Sequence, residues 1–190
     1  MKTTIETLSP KNLKDLETLF STSEECKECW CMNHRCAPTA CPTGAEAADQ
    51  FSSKLNQEEI NGLIAYLDGK PVGWCAIDKT STQIGHDFVV ENPDEVSQKS
   101  WMIHCLYIHP EARGQGISKM LIRDAVEMAR AKGADEVLAF PIPEKNSAKF
   151  PKDLAEFSGR FSTFKSFGFE SERQLNEFYE KVSLKFGPEQ

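Results

Sequence analysis

The fold is decided by the stretch Tyr107-Ile-His-Pro-Glu-Ala-Arg-Gly-Gln-Gly-Ile-Ser-Lys-Met-Leu121. The apolar run at 101–108 that leads into it is almost continuous, which is typical of a central strand buried on both faces. Gly114 and Gly116 then precede an amphipathic segment. Free N–H groups at a helix start, with the positive end of the helix dipole, bind anionic phosphate oxygens. Because glycine lacks a Cβ, the backbone there can approach such a ligand closely. The stretch therefore predicts a strand, a phosphate-binding loop and a helix in series.

Two other glycine-rich phosphate loops are excluded by the sequence. A Walker A loop requires Gly-x-x-x-x-Gly-Lys followed by Ser or Thr, and this pattern is absent. A dinucleotide-binding fingerprint requires a third glycine where Lys119 stands. The flanking strand and helix also disfavour the simplest alternative, which is a pair of glycines that only shape a turn.

The elements around this stretch predict a mixed α/β fold. A helical stripe at 116–132 ends at Gly133, and a short strand follows at 137–140, so the three elements form a βαβ unit with a parallel strand pair. Asp68 and Gly69 lie between two apolar runs and predict a tight antiparallel hairpin. Further strands are predicted at 3–8, 169–173 and 179–186, further helices at 10–20, 45–55 and 161–167, and a long polar loop at 79–99.

The composition indicates a globular protein, and its 190 residues are a usual size for the single domain that we expect over 1–190. The formal net charge of −7 disfavours a nucleic-acid partner, because phosphate contacts need a basic surface. No window approaches the roughly 18 apolar residues of a membrane span, and the N-terminus lacks the apolar core of a signal peptide. Seven cysteines, an odd number, are expected as thiols in a reducing compartment. We therefore expect a cytoplasmic protein with no membrane partner.

Residues 24–42 hold five of the cysteines and two prolines and follow neither period, which predicts an ordered loop with a specific role. Cys26, Cys29 and Cys31, with two cysteines downstream, would suffice for a tetrahedral zinc site. A second, well-spaced CxxC is absent, however, and Trp30 interrupts the cluster. We favour the alternative that Cys29, Trp30 and Cys31 form part of a pocket wall and that no metal is bound.

The chain resembles the GNAT superfamily of N-acetyltransferases, whose acyl-CoA motif is Arg or Gln, two residues, Gly, one residue, then Gly or Ala. Arg113, Gly116 and Ser118 stand at these positions, and Ser118 departs from the motif but is small. The resemblance extends to the hairpin Tyr66-Leu-Asp-Gly-Lys-Pro-Val-Gly-Trp-Cys75 and to Phe164-Lys-Ser-Phe-Gly-Phe169. With Cys29-Trp-Cys-Met-Asn-His-Arg35 added, the pattern is similar to one bacterial GNAT subgroup.

This resemblance implies a mostly antiparallel central sheet with one splayed parallel strand pair, flanked by helices. It also implies acetyl-CoA as co-substrate, with the pantetheine arm in the gap of the splayed pair and the phosphates on the glycine-rich loop. The residues that it assigns to acetyl-CoA are Leu106, Tyr107, Ile108, Arg113, Gly114, Gln115, Gly116, Ile117, Ser118, Lys119 and Asn146.

The resemblance further implies direct attack of a primary amine on the thioester, with the main-chain N–H of Leu106 stabilising the oxyanion. His104 is the candidate base because imidazole titrates near neutrality, and a hydrogen-bonded core histidine is an equal alternative. Glu91 and Glu95 are further candidates. Many GNAT enzymes carry a tyrosine acid where this chain has Phe164. The thiolate then leaves unassisted or receives a proton from a substitute, foremost Ser162, with Ser158 and Thr163 nearby.

The acceptor is expected to be a small-molecule or protein amine, and a homodimer is left open. The expected acceptor pocket consists of Cys29, Trp30, Cys31, Arg35 and Trp74, with Arg35 as an anchor for an acidic group. Two rival functions remain. One is an acyl-CoA sensor without catalysis, suggested by Phe164, and the other is a zinc-dependent interaction protein built on 26–41.

Overall fold

The computed structural model describes residues 2–95, 97–146 and 157–187. In these ranges the chain forms one seven-stranded mixed sheet in the order β1-β2-β3-β4-β5-β7-β6. The strands are β1 Thr3–Thr7, β2 Gly62–Leu67, β3 Lys70–Lys79, β4 Ser100–Ile108, β5 Glu136–Ala139, β6 Glu170–Gln174 and β7 Glu180–Lys185. The helices are α1 Leu13–Phe20, α2 Glu24–Cys29, α3 Gly44–Asn56, α4 Asp87–Glu91, α5 Ile117–Ala131 and α6 Phe161–Lys165.

The hairpin of β2 and β3 is built as the sequence predicts. Asp68 and Gly69 adopt φ angles of 49° and 81° between the two strands. Positive φ at both turn residues matches the right-handed twist of the flanking strands, which explains why this dipeptide directs a tight turn.

The predicted splayed pair is confirmed at β4 and β5, where the sheet has its parallel pairing. The pairing covers Ser100–Ile103 against Glu136–Ala139 and then ends, while β4 continues to Ile108. The register of β4 against β3 also shifts here, because Ile77 pairs with Ile103 and Ala76 with Cys105. His104 is therefore the extra residue of a β-bulge, directly after the last β4 residue that pairs with β5.

Each face of the sheet carries its own hydrophobic layer. Helix α5 packs one apolar stripe, including Ile117 and Leu121, against side chains such as Leu106. The opposite face packs against α1, α2 and α3 through large side chains that include Phe51 and Trp74. No helix in the described ranges is both long and apolar enough to cross a bilayer.

The cysteine-rich segment corrects the expectation of a loop over 24–42. Residues Glu24–Cys29 form α2, whose first turn is capped by the Ser23 side chain accepting from the Cys26 N–H. This N-cap hydrogen bond stabilises the start of α2, and the pattern of apolar residues alone does not indicate it. Trp30 and Cys31 end the helix with φ angles of 45° and 51°. The predicted loop at 79–99 likewise contains a short helix, α4.

The first helix begins at Leu13 instead of residue 10. The Asn12 side chain accepts from the Ser9 N–H at 2.8 Å and holds residues 9–12 in a turn. Side chains such as Asn compete with helix formation by bonding nearby backbone groups, which delays the helix start.

Candidate active site

The main chain of β4 presents polar groups to the gap beside β5. His109 N–H donates to Val72 O at 2.9 Å, which makes this pair a hydrogen-bonded rung of the antiparallel ladder. Because main-chain direction alternates along a strand, Leu106 and Ile108 direct their N–H and C=O groups away from β3. The Ile108 carbonyl accepts from Arg113 Nε at 3.0 Å, on that same side.

The glycine-rich loop brings the start of α5 to the surface. Gly114 and Gly116 both adopt a φ of 77°, and a Cβ at either position would meet no atom of the described residues within 4 Å. Gly116 is the N-cap of α5 and offers no side-chain cap, and the first turn holds no acidic residue. Backbone N–H groups and the positive helix end therefore face open space, an arrangement that fits an anionic phosphate.

One of the remaining residues of the loop is buried in the core, and the others are partly or fully exposed. Ile117 is buried and fixes the start of α5 on the core. Ser118 is partly exposed, and Arg113, Gln115 and Lys119 are exposed. Asn146, the last residue assigned to acetyl-CoA, ends a 3-10 turn after β5, and its side chain lies outside the described part of the structure.

A cavity of about 470 Å³ opens where β4 leaves β5. Ile103 and His104 of β4 and Phe140, just after β5, form the part of its wall that lies at the splay. Helix α4 contributes Asp87, and the segment between β6 and β7 contributes side chains on the other side, including Tyr179. The cavity and the exposed main chain of β4 thus meet at the bulge.

Behind the cavity lies a buried charge network that joins three distant parts of the chain. The Arg35 guanidinium forms an ion pair with Asp78 Oδ2, and the two side chains are only 3% and 1% exposed. His104 Nε2 lies 3.1 Å from the same carboxylate oxygen. Asn61 donates to Asp78 Oδ1 from its main-chain N at 2.7 Å and from Nδ2 at 3.0 Å. Asp78 is thus fully occupied as an acceptor.

The network fixes the charge and the tautomer of His104. Burial alone raises the pKa of Asp78, but Arg35 and His104 outweigh it and hold this pKa below its ordinary value. Burial, assisted by Arg35, lowers the pKa of His104 to about 3. The imidazole is therefore neutral near pH 7, and its Nε2 carries the proton because an ionised carboxylate can only accept. Nδ1 is then a bare lone pair, which the structure leaves buried without a partner among the described residues.

Three histidines cluster at this wall of the cavity. The ring of His34 lies 4.9 Å from that of His86 and 5.7 Å from that of His104, and all three residues line the cavity. Burial lowers the pKa of His34 to about 4 and that of His86 to about 3. Each has a buried Nδ1 without a hydrogen-bond partner among the described residues. The cluster is uncharged at neutral pH and has unused hydrogen-bonding capacity.

The residues predicted to line the acceptor pocket are not in the wall of this cavity. Trp30, Cys31 and Trp74 belong to the core layer beneath α1–α3, where Trp74 Nε1 donates to Cys31 Sγ at 3.2 Å. A hydrogen bond from Cys105, helped by Arg35 and Trp74, lowers the pKa of Cys31 despite its burial. Of the five residues, Arg35 lines a second cavity, of about 530 Å³, on the other side of Asp78.

Arg35 is held by Asp78, so its charge is already neutralised within the fold. Cys29 is partly buried, and in the described ranges no group of three or more His, Cys, Asp or Glu side chains is arranged to hold a metal.

The side chains considered as proton donors lie in different environments. Phe164 is 1% exposed and packs edge-on against Phe169 at 5.3 Å, so the usual tyrosine position is core here. Ser162 is exposed on α6, while Ser158 and Tyr179 line the cavity. Sequence reasoning named Ser158 and missed Tyr179 together with His34, His86 and Asp78 as site residues. Asp78 did leave one signal, a carboxylate that directly follows the apolar run of β3.

Comparison with known proteins places this geometry in a family. Residues 26–152 match the acetyltransferase (GNAT) family. Curated protein sequences give no match. Among solved structures, the chain is similar to the PaiA N-acetyltransferase of Thermoplasma acidophilum in complex with coenzyme A, at 18% identity and a TM-score of 0.54 over 98% of this chain and 100% of that one.

Two further structures show the same fold. Aminoglycoside acetyltransferase AAC(6')-Ib in complex with coenzyme A has 17% identity and a TM-score of 0.61, over 97% of this chain and 95% of that one. The ribosomal-protein-S18-alanine N-acetyltransferase of Escherichia coli has 12% identity and a TM-score of 0.53, over 96% and 91%. With two thirds of its length matched and the splayed strand pair in place, the chain belongs to the GNAT acetyltransferase family.

Proposed function

We propose that the protein transfers an acetyl group from acetyl-CoA to a primary amine bound in the cavity at the β4 bulge. One observation carries the proposal: the outward main chain of Leu106 and Ile108 runs between the open N-terminus of α5 and the cavity lined by His104. Phosphates at the loop would direct the pantetheine arm along β4, so that the thioester arrives beside the bulge.

The groups around the bulge supply the two requirements of acyl transfer. The Leu106 N–H points away from β3 and is suited to stabilise the oxyanion that forms when the amine nitrogen attacks the thioester carbon. The bare Nδ1 of His104 is suited to accept the proton that the nitrogen sheds as the C–N bond forms and the C–S bond breaks. Asp78 keeps the proton of the ring on Nε2, as a carboxylate does in other Asp–His pairs.

The low pKa of His104 limits how long it keeps this proton. With a pKa of about 3, the imidazole holds a proton only in passing. A thiolate has a much higher proton affinity, since thiols ionise near pH ~8.5, so coenzyme A is the final proton acceptor. This route requires no dedicated acid at Phe164. It also requires that the acceptor amine enter in its neutral form.

The test is release of coenzyme A from acetyl-CoA in the presence of a panel of primary amines, with the acetylated product identified by mass. Product with at least one amine is the expected result. Binding of acetyl-CoA without release under any amine would reject the transferase and favour the sensor.

A variant of His104 tests the assigned roles. His104→Gln is expected to lower kcat by about 100-fold, the low end of what a positioned base contributes, because a pKa of about 3 makes the imidazole a weak base. Affinity for acetyl-CoA should stay unchanged, since the loop that holds it is remote from the ring. A loss of acetyl-CoA affinity in proportion to kcat would instead identify His104 as a core residue.

A further inference from the structure

We propose that the acceptor is a small diamine, one amino group of which reacts at His104 while the other, as an ammonium, is held by Asp87 and Glu91; this specificity rests on the proposed acetyl transfer. The proposal comes from the charge, the aromatic wall and the hydrogen-bonding capacity of the 470 Å³ cavity.

The carboxylates of the cavity wall outnumber its available cations. Asp87 and Glu91 are exposed on α4 and form no ion pair with any described residue. Arg173, the cation in the wall, is engaged by Glu95 at 3.2 Å and by Asn92 at 3.0 Å. The three histidines add no positive charge, because burial keeps them neutral near pH 7. The cavity therefore attracts a cation and disfavours an acidic acceptor.

The aromatic wall suits the same ligand. The ring of Phe140 packs at a tilt against His86, at 4.5 Å, and against Phe88, at 5.3 Å, and all three residues line the cavity. Phe88 already has two cations over its ring, Lys181 Nζ at 4.7 Å and Arg173 Cζ at 5.5 Å. Aromatic faces that accept cations in this way also accept ligand ammonium groups and pack against an alkyl chain.

The third feature is the unfilled acceptor at His104. Its side chain is 0% exposed, yet its Nδ1 has no donor among the described residues. Buried polar atoms are nearly always paired, and an amine N–H of a ligand can supply the donor that this atom lacks among the described residues. His104 and α4 both lie in the wall of this one cavity, which gives an acceptor two points of attachment.

The cavity volume also favours a small molecule over a protein segment. Ligand pockets span about 300 to 1,000 Å³, and this cavity lies in the lower part of that range. A short alkyl chain with an amino group at each end satisfies the volume, the charge and the hydrogen-bonding requirements together.

Three amines of equal chain length test the proposal: 1,5-diaminopentane, pentylamine and 5-aminopentanoate. They share the reacting amino group and differ only in the charge at the far end. We expect kcat/KM for the diamine to exceed that for pentylamine by about 10-fold, as for two exposed charge pairs, and 5-aminopentanoate to be the poorest. Equal values for the three amines would overturn the proposal and leave the transferase standing.

The double variant Asp87→Asn, Glu91→Gln locates the effect. It should raise the KM for 1,5-diaminopentane about 10-fold and leave kcat unchanged, which removes the advantage of the diamine. The KM and kcat for pentylamine should not change. The matched control is Glu46→Gln, Asp49→Asn on α3, which removes the same charge from exposed positions away from the cavity. A control that weakens the diamine as much as the α4 variant would show a general effect of net charge and overturn the site.

Calorimetry separates failure of this inference from failure of the proposed function. Binding of 1,5-diaminopentane to the protein saturated with coenzyme A needs no chemical step. Diamine binding that depends on Asp87 and Glu91 supports the cation site even if no amine is acetylated. Acetylation of pentylamine without such binding supports the transferase and rejects the diamine.

Discussion

The glycine-rich loop at 113–119 and the buried network of Arg35, Asp78 and His104 belong to the same candidate site but are built in opposite ways. The loop is continuous in sequence, mostly exposed, and acts through its main chain. The network draws side chains from positions 43 and 26 residues away from Asp78 and buries them almost completely. The loop depends on its backbone conformation, and the network depends on contacts between buried polar and charged side chains.

Because of this difference, we expect substitutions in the loop to change ligand binding and substitutions in the network to change stability. A substitution in the exposed loop alters what the site binds while the core stays packed. A substitution in the network leaves a buried charge without its counter-charge, so the fold itself is affected.

Asp78→Asn is expected to lower the free energy of unfolding by about 3–5 kcal/mol, because Arg35 then remains buried without a counter-charge. Denaturant unfolding measures the change. The matched control is Asp124→Asn, which removes the partner of the exposed Arg123 on α5 and should cost less than about 1 kcal/mol. Equal losses in the two variants would mean that the buried network is no more important to the fold than a surface pair.

Gly116→Asp is expected to weaken acetyl-CoA binding by about 100-fold or more, since a carboxylate would occupy the anion site at the start of α5. Gly116→Asn is the control, because Asn and Asp tolerate the positive φ of this residue about equally and differ in charge. Calorimetry measures the acetyl-CoA affinity of the two variants, which are compared once their Tm values are shown to be equal. Equal affinity of the Asp and Asn variants would contradict the assignment of phosphate to this loop.

Acidification should destabilise the protein through its buried histidines. Unfolded histidine takes up a proton below about pH 6.5, whereas burial holds the pKa of folded His86 at about 3. Its contribution is therefore complete above about pH 6.5 and is lost as the pH falls towards 3, at roughly 1 kcal/mol per pH unit. His86→Phe keeps the ring beside Phe140 and should flatten the decline between pH 7 and 5 in denaturant unfolding. An unchanged slope would show that His86 already titrates normally in the fold.

Cys31→Ser should leave the fold intact and lower the free energy of unfolding by only about 1 kcal/mol, because a serine oxygen can still accept the Trp74 N–H. Elemental analysis should find no stoichiometric zinc, and a chelator should not change Tm. The reason is that the Cys31 sulfur already accepts hydrogen bonds from Trp74 and Cys105. One zinc per chain, with unfolding on chelation, would contradict this expectation, since structural zinc supplies folding free energy.

Residues 24–42 show why the secondary structure of the cysteine-rich segment was harder to predict than the hairpin of β2 and β3. The Asp68-Gly69 turn is set by local φ preferences, and β2 and β3 follow on either side. Helix α2 depends on one cap at Ser23 and on packing of Cys26 and Trp30 into the core, which no periodicity reveals. Trp30 and Cys31 were therefore expected in a pocket wall, whereas packing beneath α1–α3 places them in the core.

The sequence by itself determined the features that depend on neighbouring residues. These are the hairpin turn, the amphipathic stripe of α5 and the glycines that open its N-terminus, because φ preferences and apolar periodicity act locally. Tertiary structure alone decided which ionisable groups meet. Whether His104 is charged, which nitrogen holds its proton and which residues line the cavity beside it depend on Arg35, Asp78 and α4, which come together only when the sheet forms. Burial and Coulomb interaction depend on distance in space, and separation along the chain does not reveal it.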